Sequence, residues 1–148
     1  MIAYADTSAL VKLFVAEEGS QSTRAMFLRT WAIGTGLLTR AELGASLVRG
    51  ARRGLLSEVE AQEARQRIEM AWPTWVHIAV DESLVARAEA LTWEHKLRGY
   101  DAIHLASALT WQEHLGHAVV LATFDQDLWE AARQVGMEGW PKPGPAHN

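Results

Sequence analysis

The first ten residues, Met1-Ile2-Ala3-Tyr4-Ala5-Asp6-Thr7-Ser8-Ala9-Leu10, constrain the fold more than any other stretch. An apolar run ends at Ala5, three polar residues follow, and Leu10, Val11, Leu13, Phe14 and Val15 then recur at helical spacing. A short apolar run that gives way at once to a helical period reads as a buried strand feeding a helix. The turn between them carries a carboxylate, Asp6. In open parallel sheets ligands bind beyond the carboxyl ends of the strands, so an acid at that turn is a candidate functional group.

The rest of the chain repeats the alternation. The first helix is expected to reach about residue 16, with a second over 20–29. A short strand over 31–34 runs into Gly34-Thr35-Gly36. A helix over 39–53 follows, closed by Arg49, Arg52 and Arg53 at its negative dipole end and by Gly54. Ser57 and Glu60 have capping-box spacing and open another helix, which Pro73 stops. Residues 75–80 read as a strand. Asp81 caps the next helix, for which Gly99 is the expected C′ residue. A helix from Tyr100 ends at Gly116. The wholly apolar Ala118–Ala122 has the pattern of a central parallel strand. A last helix over 126–135 and an edge strand over 137–140 complete the domain, leaving 141–148 as a loose tail. Strands alternating with helices predict an α/β domain over 1–140, a three-layer α/β/α arrangement with a mostly parallel sheet. At 148 residues the chain can bury an adequate core.

Composition narrows the classes. There is no cysteine, which excludes disulfides and thiolate metal sites. A net charge of -4 argues against nucleic-acid binding through overall charge, but allows local basic patches. No apolar run approaches the roughly 18 residues of a membrane span, and no basic segment precedes the apolar N-terminus, so the expected location is the cytoplasm. The seven tryptophans are expected in core or interface positions.

Asp6 has three companions. Asp125 also directly follows an apolar strand, and Glu42 and Asp101 sit at helix starts. Each acid has a plain structural role open to it. Asp6 and Asp125 could cap helices, Glu42 could form a capping box with Thr39, and Asp101 suits a helix first turn. Together they point elsewhere, because all four positions can converge on one edge of a parallel sheet. Crowded carboxylates repel and need a counter-ion. A hard divalent cation held by oxygen ligands meets that need, and Mg²⁺ or Mn²⁺ among carboxylates suits phosphodiester hydrolysis by a metal-activated water. Water as nucleophile leaves a 5′-phosphate and a 3′-hydroxyl.

Four segments occur in order: Asp6-Thr7-Ser8-Ala9-Leu10-Val11-Lys12-Leu13, Leu38-Thr39-Arg40-Ala41-Glu42-Leu43, Arg98-Gly99-Tyr100-Asp101-Ala102-Ile103-His104-Leu105-Ala106-Ser107-Ala108, and Leu121-Ala122-Thr123-Phe124-Asp125-Gln126-Asp127-Leu128. With these the chain resembles the PIN-domain family, and within it the VapC-like toxins of type II toxin–antitoxin systems. The resemblance covers nearly the whole chain. It implies a PIN-like fold and an Mg²⁺-dependent endoribonuclease, with Mn²⁺ as an alternative ion. It implies Asp6, Glu42, Asp101 and Asp125 as the catalytic acids. The resemblance further implies Asp6 and Asp101 as metal ligands, with Glu42 and Asp125 as further candidates. Thr7, Ser8 and Thr123 match supporting hydroxyl positions. A VapB-like antitoxin, an RNA substrate and a homodimer are the implied partners.

Other features admit two readings each. Arg40 and Arg98 either bind RNA phosphate or brace the acids by ion pairs. Arg49, Arg52 and Arg53, with Arg65 and Arg67, form either solvated helix faces or a phosphate-tracking rim. His104 shares a helix face with Asp101 but reads as a core histidine with one hydrogen bond. Asp127 reads as a solvated first-turn acid. Rival classes fit less well. A haloacid-dehalogenase-like phosphatase needs a second Asp where Ser8 stands, and a receiver domain needs a central-strand Asp and a late Lys. A catalytically silent PIN-like RNA-binding or scaffold module would lack one of the acids.

Overall fold

The computed structural model describes residues 1–145. The five strands are β1 (Ile2–Ala5), β2 (Ala32–Gly36), β3 (Val76–Ile78), β4 (Val120–Ala122) and β5 (Glu138–Trp140). They form one sheet in the order β3-β2-β1-β4-β5 with every pair parallel. The helices among the described residues are α1 (Thr7–Phe14), α2 (Ser20–Phe27), α3 (Thr39–Arg52), α4 (Glu58–Ala71), α5 (Glu82–His95), α6 (Gly99–Leu115) and α7 (Gln126–Gln134). This is the expected three-layer α/β/α domain.

β1 is central, and its alternation divides the core. Ile2 and Tyr4 pack with α5, α6 and α7 on one face, while Ala3 and Ala5 pack with α1, α2, α3 and α4 on the other. Strands buried on both faces carry continuous apolar sequence, as β1 and β4 do. From β1 the chain winds outward through β2 to β3, then crosses back to β4 on the other side of β1. The topological switch point therefore lies between β1 and β4.

Several expected boundaries move, each for a tertiary reason. β2 begins later and includes Gly34-Thr35-Gly36, because these residues pair with Val76, His77 and Ile78 of β3. Gly34 is needed there: a Cβ would come within 2.4 Å of the Trp111 ring of α6. Gly99 does not end α5. Lys96 takes the left-handed turn with φ 56°, and Gly99 becomes the first residue of α6. The intervening Leu97 is buried in the core, which draws the chain straight from one helix into the next. The capping box of Ser57 and Glu60 forms as the spacing predicts.

Two contacts and one buried residue lie in the described stretch after Trp140. Trp129 Nε1 donates to the Pro141 carbonyl at 2.9 Å, Lys142 pairs with Glu138 at 2.8 Å, and Pro145 is buried. The expected looseness of 146–148 lies outside the described residues. Trp72, Trp75, Trp111 and Trp129 enter the core, but Trp31 and Trp93 are exposed. No helix among the described residues is long and apolar enough to cross a membrane.

Candidate active site

β1 and β4 end side by side. The Asp6 backbone N–H donates to the Ala122 carbonyl at 3.1 Å, so the residues that follow each strand meet at the switch point. Asp6 is buried and does cap α1, accepting from the Ala9 N–H at 2.9 Å. The cap occupies only part of its acceptor capacity. Thr123 Oγ1 donates to Asp6 Oδ2 at 2.6 Å, and Ser8 Oγ reaches both carboxylate oxygens at 2.7 and 2.9 Å. Ser8 Oγ and Thr123 Oγ1 accept in turn from the N–H groups of Phe124 and Asp125 at 2.7 and 3.0 Å. The three supporting hydroxyls thus have definite work: Ser8 and Thr123 lock Asp6 to the turn after β4, and Thr7 donates to Glu42 Oε2 at 2.7 Å.

Glu42 does not form the capping box its spacing with Thr39 allows. Thr39 is the first helical residue of α3, is buried, and bonds to Thr35 Oγ1 at 3.0 Å. Glu42 is thereby left to face Thr7 and His104. Asp101 stands in the first turn of α6, and Asp125 caps α7 by accepting from the Leu128 N–H at 3.0 Å. Asp6, Glu42, Asp101 and Asp125 all line one cavity of about 640 Å³, with Thr7, Ser8, His104, Arg49, Arg98 and Tyr100.

The electrostatics are those of an acidic pocket short of counter-ions. Burial pushes the Asp6 carboxyl above its usual range, against the pull of His104 and of its own hydrogen bonds. Burial also raises Asp101, opposed by the Arg98 bond and reinforced by the Asp125 charge. Glu42 is different: burial works against its ionised form, but the His104 and Thr7 bonds and the Arg49 charge outweigh burial and hold it low. His104 is buried, which disfavours its charge, yet Glu42, Asp6 and Asp101 together raise its pKa. Its Nε2 lies 3.0 Å from Glu42 Oε2 and its Nδ1 2.9 Å from Tyr4 Oη. The ring thus spans Tyr4 and Glu42 and holds Glu42 in place, and the surrounding acids favour its charged form, which donates from both nitrogens. The sequence reading of one hydrogen bond misses this. The signal was Tyr4, a polar tip two residues before Asp6 on the same strand face.

Arg98, a largely exposed side chain, is the cation that bridges two of the acids. Its Nε lies 2.8 Å from Asp101 Oδ2 and its Nη2 2.5 Å from Asp125 Oδ2. Of its two open roles, bracing is the one the structure shows. Arg49 lines the same cavity and bonds to Ser46 at 2.9 Å. Arg40, two residues from Glu42, points away from it, as residues so spaced on a helix must. It lines a groove between α3 and α4 with Arg52, its guanidinium 5.7 Å from the Trp72 ring, and makes no brace to an acid. Arg53 lines a separate recess beside Leu55 and Leu56. Arg67 donates to the Phe14 carbonyl at 2.7 Å and Arg65 pairs with Glu69 at 3.0 Å, both structural contacts.

The donor set is all oxygen and mostly carboxylate, the chemistry that suits Mg²⁺ or Mn²⁺. Among the described residues, no three of the His, Asp and Glu side chains stand gathered around one point as a finished ion cage. The donors fit a hard cation in kind, and Arg98 supplies positive charge beside them.

The family model of the PIN domain matches residues 3–134. Ribonuclease VapC45 of Mycobacterium tuberculosis (strain CDC 1551 / Oshkosh) is 33% identical over 135 residues, covering 91% of this chain and 92% of the relative. Ribonuclease VapC49 of Mycobacterium tuberculosis (strain ATCC 25618 / H37Rv) matches with the same identity and coverage. Among solved structures, a toxin–antitoxin complex from Klebsiella pneumoniae superposes with a TM-score of 0.60 at 26% identity, covering 84% of this chain and 87% of that one. The structure of Mycobacterium tuberculosis VapC20, described as a sarcin–ricin loop cleaving toxin, shares the fold with a TM-score of 0.64 at 16% identity, covering 91% and 95%.

Proposed function

The chain belongs to the PIN-domain family and, within it, to the VapC-like proteins, and on that premise we propose that it is a divalent-cation-dependent endoribonuclease, the toxin of a type II toxin–antitoxin pair. The observation that carries the reading is the meeting of Asp6, Glu42, Asp101 and Asp125 around one cavity at the sheet's switch point. The proposed partners are an RNA substrate, a VapB-like antitoxin and a second copy of the chain, in the cytoplasm.

Asp6 and Asp101 are the residues that hold Mg²⁺ or Mn²⁺ in this reading, with Glu42 and Asp125 as further ligands. A bound cation supplies charge for the phosphoryl oxygens and makes a bound water more acidic. The remaining work falls to the chain. Ser8, Thr123 and the Ala9 N–H keep the Asp6 carboxylate from rotating. Thr7 and His104 do the same for Glu42. Preorganised groups of this kind spend no reorganisation energy when charge develops on the substrate. Arg49 and Arg98 are the cations at the cavity that can meet the RNA backbone.

The test is cleavage of mixed RNA at neutral pH with and without Mg²⁺. Asp6→Asn and Asp101→Asn are expected to abolish cleavage, a loss of at least about a hundredfold for groups this close to the reacting charge, with far-UV circular dichroism unchanged. Cleavage at the wild-type rate by both variants rules the assignment out. For the toxin role, induced expression is expected to arrest bacterial growth. Normal growth leaves a nuclease of another kind.

A further inference from the structure

Asp125 has both carboxylate oxygens engaged. Oδ1 accepts the Leu128 N–H at the start of α7, and Oδ2 is held by Arg98. Arg98 takes Asp101 by Oδ2 as well, so one guanidinium spans the starts of α6 and α7 and joins two acids of the site. A divalent cation shared by these carboxylates competes with Arg98 for Asp101 Oδ2 and Asp125 Oδ2. The two ions serve the same purpose, the relief of repulsion between Asp101 and Asp125, and a cation bound through those oxygens weakens the hold of the guanidinium.

The hold is a light one. The Arg98 side chain is 73% exposed, and ion pairs of long exposed side chains contribute little. Nothing packs the guanidinium in place as the buried ring of His104 is packed beneath the site. Arg98 also stands at the same cavity as Arg49. A guanidinium freed from the acids there finds its next strong acceptor in a phosphate, which it matches in bidentate geometry.

We propose that Arg98 is an exchangeable counter-ion, which joins Asp101 to Asp125 in the cation-free protein, yields them when a divalent cation binds, and then contacts the phosphodiester of the RNA strand. The inference rests on the metal-dependent reading of the site. It adds that cation binding and RNA binding are coupled through one side chain, because Arg98 is released to the RNA only once the acids have another partner.

The experiment uses the full-length protein and Arg98→Gln. Mn²⁺ binding is followed by electron paramagnetic resonance or calorimetry. Arg98→Gln is expected to bind Mn²⁺ about three- to tenfold more tightly than the wild type with the same stoichiometry, since the competing ion pairs are gone. Binding of a fluorescent single-stranded RNA is then read by anisotropy at one fixed salt concentration, in Ca²⁺ and in chelator, with the RNA checked for integrity on a gel. The variant is expected to lose about three- to tenfold in Ca²⁺ and less than about twofold in chelator. A purely structural clip gives the opposite first result, weaker Mn²⁺ binding, and the same RNA loss in both media. Equal or weaker Mn²⁺ binding by Arg98→Gln, or an equal RNA loss in chelator, overturns the proposal. If Arg98→Gln does not fold, Arg98→Lys keeps the charge without the fork and is expected to fall between the two. Failure of the wild type to bind Mn²⁺ at all refutes the metal-dependent reading and this inference with it. Binding without a shift refutes the inference alone.

Discussion

Thr123→Val tests how firmly the acids are tied together. Thr123 is fully buried, donates to Asp6 Oδ2 at 2.6 Å and accepts the Asp125 N–H at 3.0 Å. Valine has nearly the same shape, so little cavity opens and the loss is of hydrogen bonds. A bond to an ionised carboxylate contributes about 1.5–3 kcal/mol and a neutral one about 0.5–1.5 kcal/mol, which together predict a destabilisation of about 2–4.5 kcal/mol. For a domain of this size that lowers Tm by roughly 4–18 °C. The assay is urea unfolding at pH 7 in chelator, with Thr123→Ser as control, because serine keeps both bonds and loses only a methyl group. The pH dependence has a definite sign. Burial already raises the Asp6 carboxyl and the Thr123 hydroxyl pulls it down, so removing the hydroxyl raises it further. A carboxyl whose folded pKa lies above its unfolded one loses stability as pH climbs through that interval. The valine deficit must therefore grow as pH rises above the already raised folded pKa of Asp6 in the wild type. A valine variant no less stable than the serine variant, or a deficit that shrinks with rising pH, refutes the reasoning.

Two more perturbations read other parts of the structure. His104 has a raised pKa, so its contribution is present below the unfolded imidazole value and is lost as pH rises through the folded one. Glu42 has a lowered pKa, so its contribution is lost as pH falls through its folded value. His104→Gln is expected to flatten the alkaline limb of the wild-type stability profile in chelator, and parallel profiles count against the ion pair. Gly34→Ala puts a methyl within 2.4 Å of the buried Trp111 ring and is expected to cost about 1–3 kcal/mol in urea unfolding. An unchanged midpoint means α6 can move away from β2.

The sequence alone determined the alternation of strands and helices, the two apolar strands that end in acids, and the four acids themselves. These are local records, because hydrophobic period, capping spacing and a polar break after an apolar run are written in neighbouring residues. Tertiary structure decided the rest. Only strand order puts β1 beside β4, so that a hydroxyl 117 residues away in sequence reaches Asp6. Only the burial of Thr39 releases Glu42 from a capping box that its spacing allows. Only the packing of α6 against the sheet sets His104 between Tyr4 and Glu42. The arginines show the same divide: Arg40 and Arg98 are each close in sequence to an acid, yet helix geometry turns Arg40 towards Trp72 and leaves Arg98 across Asp101 and Asp125. Spacing along the chain sets which side chains share a helix face, but the direction in which that face points depends on contacts made by distant segments.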